Sequence, residues 1–257
     1  MKSGTRTTRK RKITDGKEKR MRLFAIGDLH LPGGEDKPMN IFGPQWDRHF
    51  FRIRDAWMET VREEDCVLIP GDISWAMHLE KALQDLRAIG DLPGRKILIR
   101  GNHDYWWGSI SRIREALPER ITALQQDAAD LGSCVVCGTR GWTIPSADQP
   151  LLPEDEKIYR RETVRLQMAL ERAAEMAKGR PIIAMLHYPP LYTYQKTSDF
   201  TRLLEAYGVC LCVYGHLHGA GIQAGFTGEK ETVRYVLTSC DSLDFRPLLL
   251  PEEWWNR

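Results

Sequence analysis

Lys96-Ile97-Leu98-Ile99-Arg100-Gly101-Asn102-His103-Asp104 is the stretch on which the fold turns. A short apolar run, too short for a helix and rich in Ile and Leu, stops at a glycine and at once delivers amide, imidazole and carboxylate side chains. The pattern recurs on both sides of it. Arg22-Leu23-Phe24-Ala25-Ile26 runs into Gly27-Asp28-Leu29-His30, and Cys66-Val67-Leu68-Ile69-Pro70 runs into Gly71-Asp72. Further on, Pro181-Ile182-Ile183-Ala184-Met185-Leu186 runs into His187, and Val209-Cys210-Leu211-Cys212-Val213-Tyr214 runs into Gly215-His216-Leu217-His218.

Helical spacing fills the gaps between these strand-like runs. Phe50, Ile53, Trp57 and Val61 recur at three or four residues, as do Leu79, Leu83, Leu86 and Ile89, and each set forms one apolar face. The stretch from Glu154 to Lys178 has few helix breakers and many Glu, Arg, Leu and Ala, which predicts the longest helix. Strands alternating with helices argue for an α/β fold whose sheets are covered by helices. The runs 133–138, 219–226 and 232–239 lack long helical spacers and are expected to pair as hairpins or edge strands. In such sheets ligands bind in the crevice beyond the carboxyl ends of the strands, where all five polar sets fall.

The collected set is Asp28, His30, Asp72, Asn102, His187, His216 and His218, with His103 beside it. Of the seven histidines in the chain, five lie in these motifs and only His49 and His78 lie elsewhere, which scattered core histidines would not do. The set is too large for one ion and lacks thiolate, so a structural zinc site fits poorly. Mixed nitrogen and oxygen donors suit two divalent ions such as manganese, iron or zinc. Asp72 is the natural bridge, because a carboxylate has an oxygen for each ion.

Asp28-x-His30, Gly71-Asp72, Gly101-Asn102-His103-Asp104, the isolated His187 and Gly215-His216-x-His218 together resemble the calcineurin-like metallophosphoesterase superfamily. All five blocks stand in the family's order over residues 22–218. The resemblance implies a four-layer α/β/β/α sandwich with two mixed sheets flanked by helices. It implies a hydrolase in which a metal-activated hydroxide cleaves a phosphate mono- or diester of a small phosphorylated substrate. Asp28, His30 and His218 would hold the first metal, Asn102, His187 and His216 the second, with Asp72 shared and His103 near the leaving group. The second block departs from the common Gly-Asp-x-x-Asp: Trp75 stands where the later Asp would orient the catalytic histidine. Asp104 or a backbone carbonyl is therefore expected to fix the His103 ring. An Asp-Arg-Gly ending is missing at that block and the third ends in Asp104 rather than Glu, so protein phosphatase activity is not expected. A nuclease of the same superfamily and a catalytically inactive scaffold are the rival readings; the full ligand set argues against the scaffold.

The rest of the composition is consistent with such an enzyme. A chain of 257 residues, 42% hydrophobic and 28% charged, can bury its own core without disulfides. Residues 21–257 are expected to form one domain. Residues 1–20 carry nine Lys/Arg and two Asp/Glu, a local charge of +7 that leaves −5 for the remainder. They are expected to be a disordered, solvated tail, and only this tail suggests nucleic acid. No apolar run approaches the roughly 20 residues of a membrane span, and no apolar stretch follows the basic start as in a secretory signal. The six cysteines sit mostly in strand-like runs, the expectation being a reduced, cytoplasmic protein in which Cys134 and Cys137 are packing residues. Trp75, Trp106, Trp107, Tyr188, Tyr192 and Tyr194 cluster near the motifs, where walls of the site are the first expectation and stacking on a substrate ring the second. Arg140, Arg160 and Arg161 are candidates for a second phosphate, but surface arginines need no such role. His49 is expected to pack or face solvent, His78 is a weak candidate to support a ligand, and Trp254 and Trp255 are expected to dock the C-terminal segment.

Overall fold

The computed structural model describes residues 20–34, 39–146 and 150–256. The expected basic tail therefore lies, but for Arg20, outside the described residues. Two mixed sheets form the centre. The first is built from β1 (Leu23–Ala25), β2 (Cys66–Ile69), β3 (Arg95–Leu98) and β4 (Ile121–Ala123), all parallel, with β11 (Leu248–Leu250) antiparallel beside β1. In the second, β6 (Val135–Thr139), β7 (Ile182–Leu186), β8 (Val209–Tyr214) and β10 (Val233–Leu237) run parallel. Antiparallel edges formed by β5 (Asp127–Asp130) and β9 (Gly228–Lys230) close this second sheet.

Alternation along each strand sorts the side chains into layers. Leu23, Ala25, Cys66 and Leu68 face the second sheet's Val136, Ile183, Met185, Leu211 and Val213. Their neighbours Phe24, Ile26, Val67 and Ile69 face the helices α1 (His49–Thr60), α2 (Leu79–Gly90) and α3 (Ile110–Ala116). On the far side Val135, Ile182, Ala184 and Leu186 pack against α4 (Pro153–Ala177) and α5 (Asp199–Ala206). This is the expected α/β/β/α sandwich. Buried on both faces, the parallel strands read as continuous apolar runs.

The helices begin and end where their sequence says they should. Pro153 sits in the first turn of α4, followed by Glu154, Asp155 and Glu156, which favour the positive end of the helix dipole. Lys178 turns left-handed at φ 48° and stops it. In α5, Ser198 and Thr201 form a reciprocal capping box.

One local expectation changes and two hold. The run 219–226 is no strand; Gly219–Ala224 is a 3-10 helix, since Gly219, Gly221 and Gly225 break any β pattern there. Val233–Leu237 forms the expected hairpin, pairing with β9, which makes the sheet edge outside it. Cys134 packs between the sheets and Cys137 against the helices, so they face opposite ways and remain free thiols. Trp255 does dock between the sheets, and Trp254 lies 4.9 Å from the Arg234 guanidinium. No helix among the described residues is long and apolar enough to cross a membrane.

Candidate metal centre

The carboxyl ends of both sheets meet at one place. Gly27 N donates to Thr238 O (2.7 Å), Cys240 N to Gly27 O (3.1 Å) and Gly215 N to His187 O (3.1 Å). From the first sheet come Asp28 and His30 after β1, Asp72 after β2, and Asn102 and His103 after β3. From the second come His187 after β7, and His216 and His218 after β8.

The backbone at these positions is contorted. Asp28 (φ 57°), His30 (φ 44°), Asp72 (φ 52°) and His216 (φ 74°) all lie in the left-handed region. Each such residue costs about 1–3 kcal/mol and persists only where its surroundings enforce it. The enforcing bonds are on hand. Asp28 N donates to Gly71 O (2.9 Å) and His30 N to Asp72 O (3.0 Å). Asp28 takes the His216 N–H at 3.0 Å, and Asp72 Oδ1 takes the His103 N–H at 2.8 Å. Two glycines make room for the carboxylates: a Cβ on Gly101 would sit 2.0 Å from Asp72 Oδ1, and one on Gly215 would sit 2.2 Å from Asp28 Oδ2.

All seven predicted donors converge in two groups. His30 Nε2 and His218 Nε2 are 3.3 Å apart, with Asp28 Oδ1 3.5 Å from His218 Nε2. In the other group, Asn102 Oδ1 lies 2.6 Å from His187 Nε2 and 2.9 Å from His216 Nδ1. Asp72 Oδ2 stands between the groups, 3.8 Å from His30 Nε2 and 3.5 Å from His187 Nε2. The ligand atoms of Asp28, His30 and His218 lie within 4.8 Å of one another, and those of Asp28, Asp72 and His187 do so too.

The electrostatics suit cations. Among the described residues no lysine or arginine pairs with the buried Asp28 or Asp72. Burial, with Asp104 and Asp28 nearby, pushes the Asp72 carboxyl well above its ordinary value, which marks uncompensated negative charge. Burial holds His30 and His187 down and takes His216 to about 3, leaving neutral rings with lone pairs to offer. Burial also opposes charge on His218, but its bonds to Asp241 and Asp28 outweigh this and push it up to about 10. At Asp28 burial raises the pKa, and His218, His187 and His30 more than reverse it. Buried carboxylates, an amide oxygen and neutral imidazoles are a donor set fit for divalent ions.

Supporting groups orient the rings. His187 Nδ1 meets Pro70 O at 3.0 Å, which leaves Nε2 for the centre. Asp241, which sequence reasoning missed, does the same for His218 (Nδ1 to Oδ1, 2.8 Å) and accepts Gly219 N–H at 3.0 Å. It follows β10 in a strand-to-polar stretch, Thr238-Ser239-Cys240-Asp241, and that signal could have found it.

The expected orientation of His103 needs correcting. Asp104 does not touch the ring; it accepts the N–H groups of Gly101 (2.7 Å), Asp72 (2.9 Å), Ile73 (2.8 Å) and Ser74 (3.1 Å) and the Trp106 indole (3.0 Å). A carboxylate at 104 thus knots the second and third loops together. His103 Nδ1 instead lies 3.4 Å from the Tyr105 hydroxyl, and its ring packs on Trp75 at 4.4 Å.

Trp75 also stacks on His30 (4.9 Å, 22°), and Tyr188 covers His216 at 4.2 Å, so these two aromatics wall the site. Trp106 and Trp107 are core residues, while Tyr192 and Tyr194 stack on each other. His49 is buried, its Nε2 2.9 Å from Leu29 O, and so braces the Asp28–His30 turn. His78 is exposed at the start of α2, away from a supporting role. Arg160 pairs with Glu156 on the open face of α4 and Arg161 is exposed. Neither serves the centre.

A sequence model of calcineurin-like phosphoesterases matches residues 21–220. A 79-residue stretch is 38% identical to the gene 66 protein of Mycobacterium phage L5, covering 30% of this chain and 37% of that protein. The chain thus matches little more than a third of the length of that relative. Phosphopantetheinyl hydrolase (PptH) from Mycobacterium tuberculosis superposes with a TM-score of 0.51 at 14% identity, over 91% of this chain and 94% of that one. AQ665 from Aquifex aeolicus, a protein of unknown function, gives 0.50 at 15% identity over 90% and 96%. These two structures share the fold.

Proposed function

We infer the activity from one premise: this chain belongs to the calcineurin-like phosphoesterase family and is a metal-dependent phosphoesterase. We propose further that its centre takes two divalent ions, manganese, iron or zinc. The observation that carries this reading is Asp72 Oδ2, poised between a donor group that includes His30 and another that includes His187. Asp28, His30 and His218 would hold one ion, and Asn102, His187 and His216 the other. When bound, such ions supply Lewis acidity that acidifies water near neutral pH and offsets charge on phosphoryl oxygens.

The chain's own residues do the rest. Asp72 fixes the spacing of the two groups, since its second oxygen is tied to the His103 N–H. His103 stands outside the ligand set. Burial and His187 hold its pKa below the ordinary value, so near pH 7 it is neutral, with one N–H to hydrogen-bond a phosphoryl or departing oxygen. Its ring opens onto a pocket of about 270 Å³ lined by Met39, Phe42, Trp46 and Trp75 alongside His30 and His218. That volume, just under the usual range for small-ligand sites, takes a ring or a short chain, and its walls favour an apolar leaving group. The substrate is therefore a small phosphate mono- or diester.

Turnover of p-nitrophenyl phosphate and bis-p-nitrophenyl phosphate, with manganese or with EDTA, tests this, with Asp72→Asn as the control. Manganese-dependent cleavage lost in EDTA and in Asp72→Asn is expected. Uptake of a single ion per chain would overturn the dinuclear assignment, and turnover that survives EDTA would overturn the metal dependence.

A further inference from the structure

A second cavity opens at the same end of the sandwich, on the His187 side. It has a volume of about 170 Å³ and is lined by Arg100, Gln125, Thr139, Arg140, Glu162 and Arg165. Its position follows from the topology. Arg100 follows β3, two residues ahead of Asn102, and Arg140 follows β6. The Arg140 carbonyl accepts the N–H groups of His187 and Tyr188, both at 3.0 Å. A row of flat groups joins the two sites: the Arg140 guanidinium lies 4.5 Å from Trp142, Trp142 lies 4.9 Å from Tyr188, and Tyr188 covers His216.

The charges in this cavity do not balance. Glu162 is the one carboxylate among its described lining residues and is already engaged. Thr139 Oγ1 and Arg165 Nη1 each donate to it at 2.7 Å. Arg140 Nη2 stays 3.7 Å away, an ion pair without a hydrogen bond. The Nε atoms of Arg100 and Arg140 are buried without a partner, and among the described residues neither guanidinium makes a hydrogen bond. Three guanidinium groups therefore face one carboxylate. Buried donors are nearly always satisfied, and an excess of buried positive charge is costly unless something neutralises it. Guanidinium forks match the oxygens of phosphate and carboxylate groups in two-point contacts.

We propose that this cavity binds a second acidic group, a phosphate or carboxylate carried by the substrate whose phosphoryl group sits at the metal centre. The proposal rests on the phosphoesterase reading of that centre. It makes the substrate doubly anionic, with Arg100 and Arg140 setting specificity and Trp142 and Tyr188 flanking the span between the two sites.

Calorimetry on the full-length, manganese-loaded protein tests this without relying on turnover. The probes are straight-chain alkylphosphonates and, at matched lengths, the same compounds bearing a second phosphonate or a carboxylate at the far end. The expected result is that at one chain length the doubly anionic probe binds at least tenfold more tightly, the low end for a charge-assisted pair. Arg100→Gln and Arg140→Met should each reduce that ratio to about two or less. Arg100→Gln breaks no ion pair and so remains informative if Arg140→Met misfolds. Equal affinity of singly and doubly charged probes at every length would overturn the inference while leaving the metal centre standing. So would a tenfold advantage that survives Arg100→Gln in a folded protein. Failure of every phosphonate to bind in a manganese-dependent way would remove the reading of the centre itself and the inference with it.

Discussion

Replacing Asp104 by Asn removes a charge without changing shape, and the geometry around it sets the size of the effect. One oxygen accepts three donors, from Ile73, Ser74 and Trp106, and an Asn oxygen can keep those. The other accepts the N–H groups of Asp72 and Gly101, which an Asn NH2 would meet donor against donor. Two hydrogen bonds to a charged group, each contributing about 1.5–3 kcal/mol, are lost, a gross cost of about 3–6 kcal/mol. Relief from burying the charge offsets part of it, since burial already pushes the Asp104 carboxyl up. A net destabilisation of at least about 2 kcal/mol is expected. Urea unfolding of the EDTA-treated protein near pH 7.5 measures it free of any contribution from metal, and a manganese titration of the same variant should show weaker uptake through the displaced Asp72. Stability within about 0.5 kcal/mol of the parent, the range of an ordinary surface substitution, would refute the reasoning.

Three other changes probe separate parts of the account. His103→Ala should keep its manganese, seen by calorimetry, and lose about 10²–10⁴-fold in kcat; loss of metal would make His103 a ligand. Gly215→Ala drives a Cβ to within 2.2 Å of Asp28 Oδ2, so manganese binding should weaken at least tenfold; unchanged affinity would show that Asp28 is not needed there. Asp65, against the effect of its burial, is held below its ordinary pKa of 3.8 by Arg22 and by the N–H groups of Arg62 and Arg22. Its contribution to stability is complete above about pH 3.8 and fades as pH falls through the lower folded-state value. Urea midpoints at about pH 5 and pH 3 should therefore differ less in Arg22→Gln than in the parent, and an identical difference would remove Asp65 from the account.

Much of the site was legible because the folding pattern and the chemistry share a boundary. Each ligand-bearing inner strand ends on apolar or aromatic residues where it leaves the sheet, so the break in hydrophobicity marks the ligand position, as at Ile26 to Asp28 or Leu186 to His187. Direction was not legible. Adjacency put Asp104 beside His103, but consecutive residues in a turn point apart, and the backbone N–H groups that Asp104 collects leave no trace in side-chain identity. Asp241 escaped because its strand ends in a carboxylate that supports a ligand rather than in a histidine. Strands of three or four residues, such as Ile121–Ala123, Asp127–Asp130 and Leu248–Leu250, are too short to show a period, and their existence depends on neighbours remote in the chain.

The place of β11 bears on how the chain is made. β1 is made long before β11, and one of its two edges stays bare until residues 248–250 arrive. Leu23, Phe24 and Ala25 are wholly or almost wholly buried in the finished fold, so the growing chain carries an apolar open edge while residues 26–247 are made. A chain stopped short of Leu248 would retain every ligand discussed above and still present that edge to its neighbours, so its expected fate is aggregation, with the chemistry of the centre intact in sequence and absent in practice.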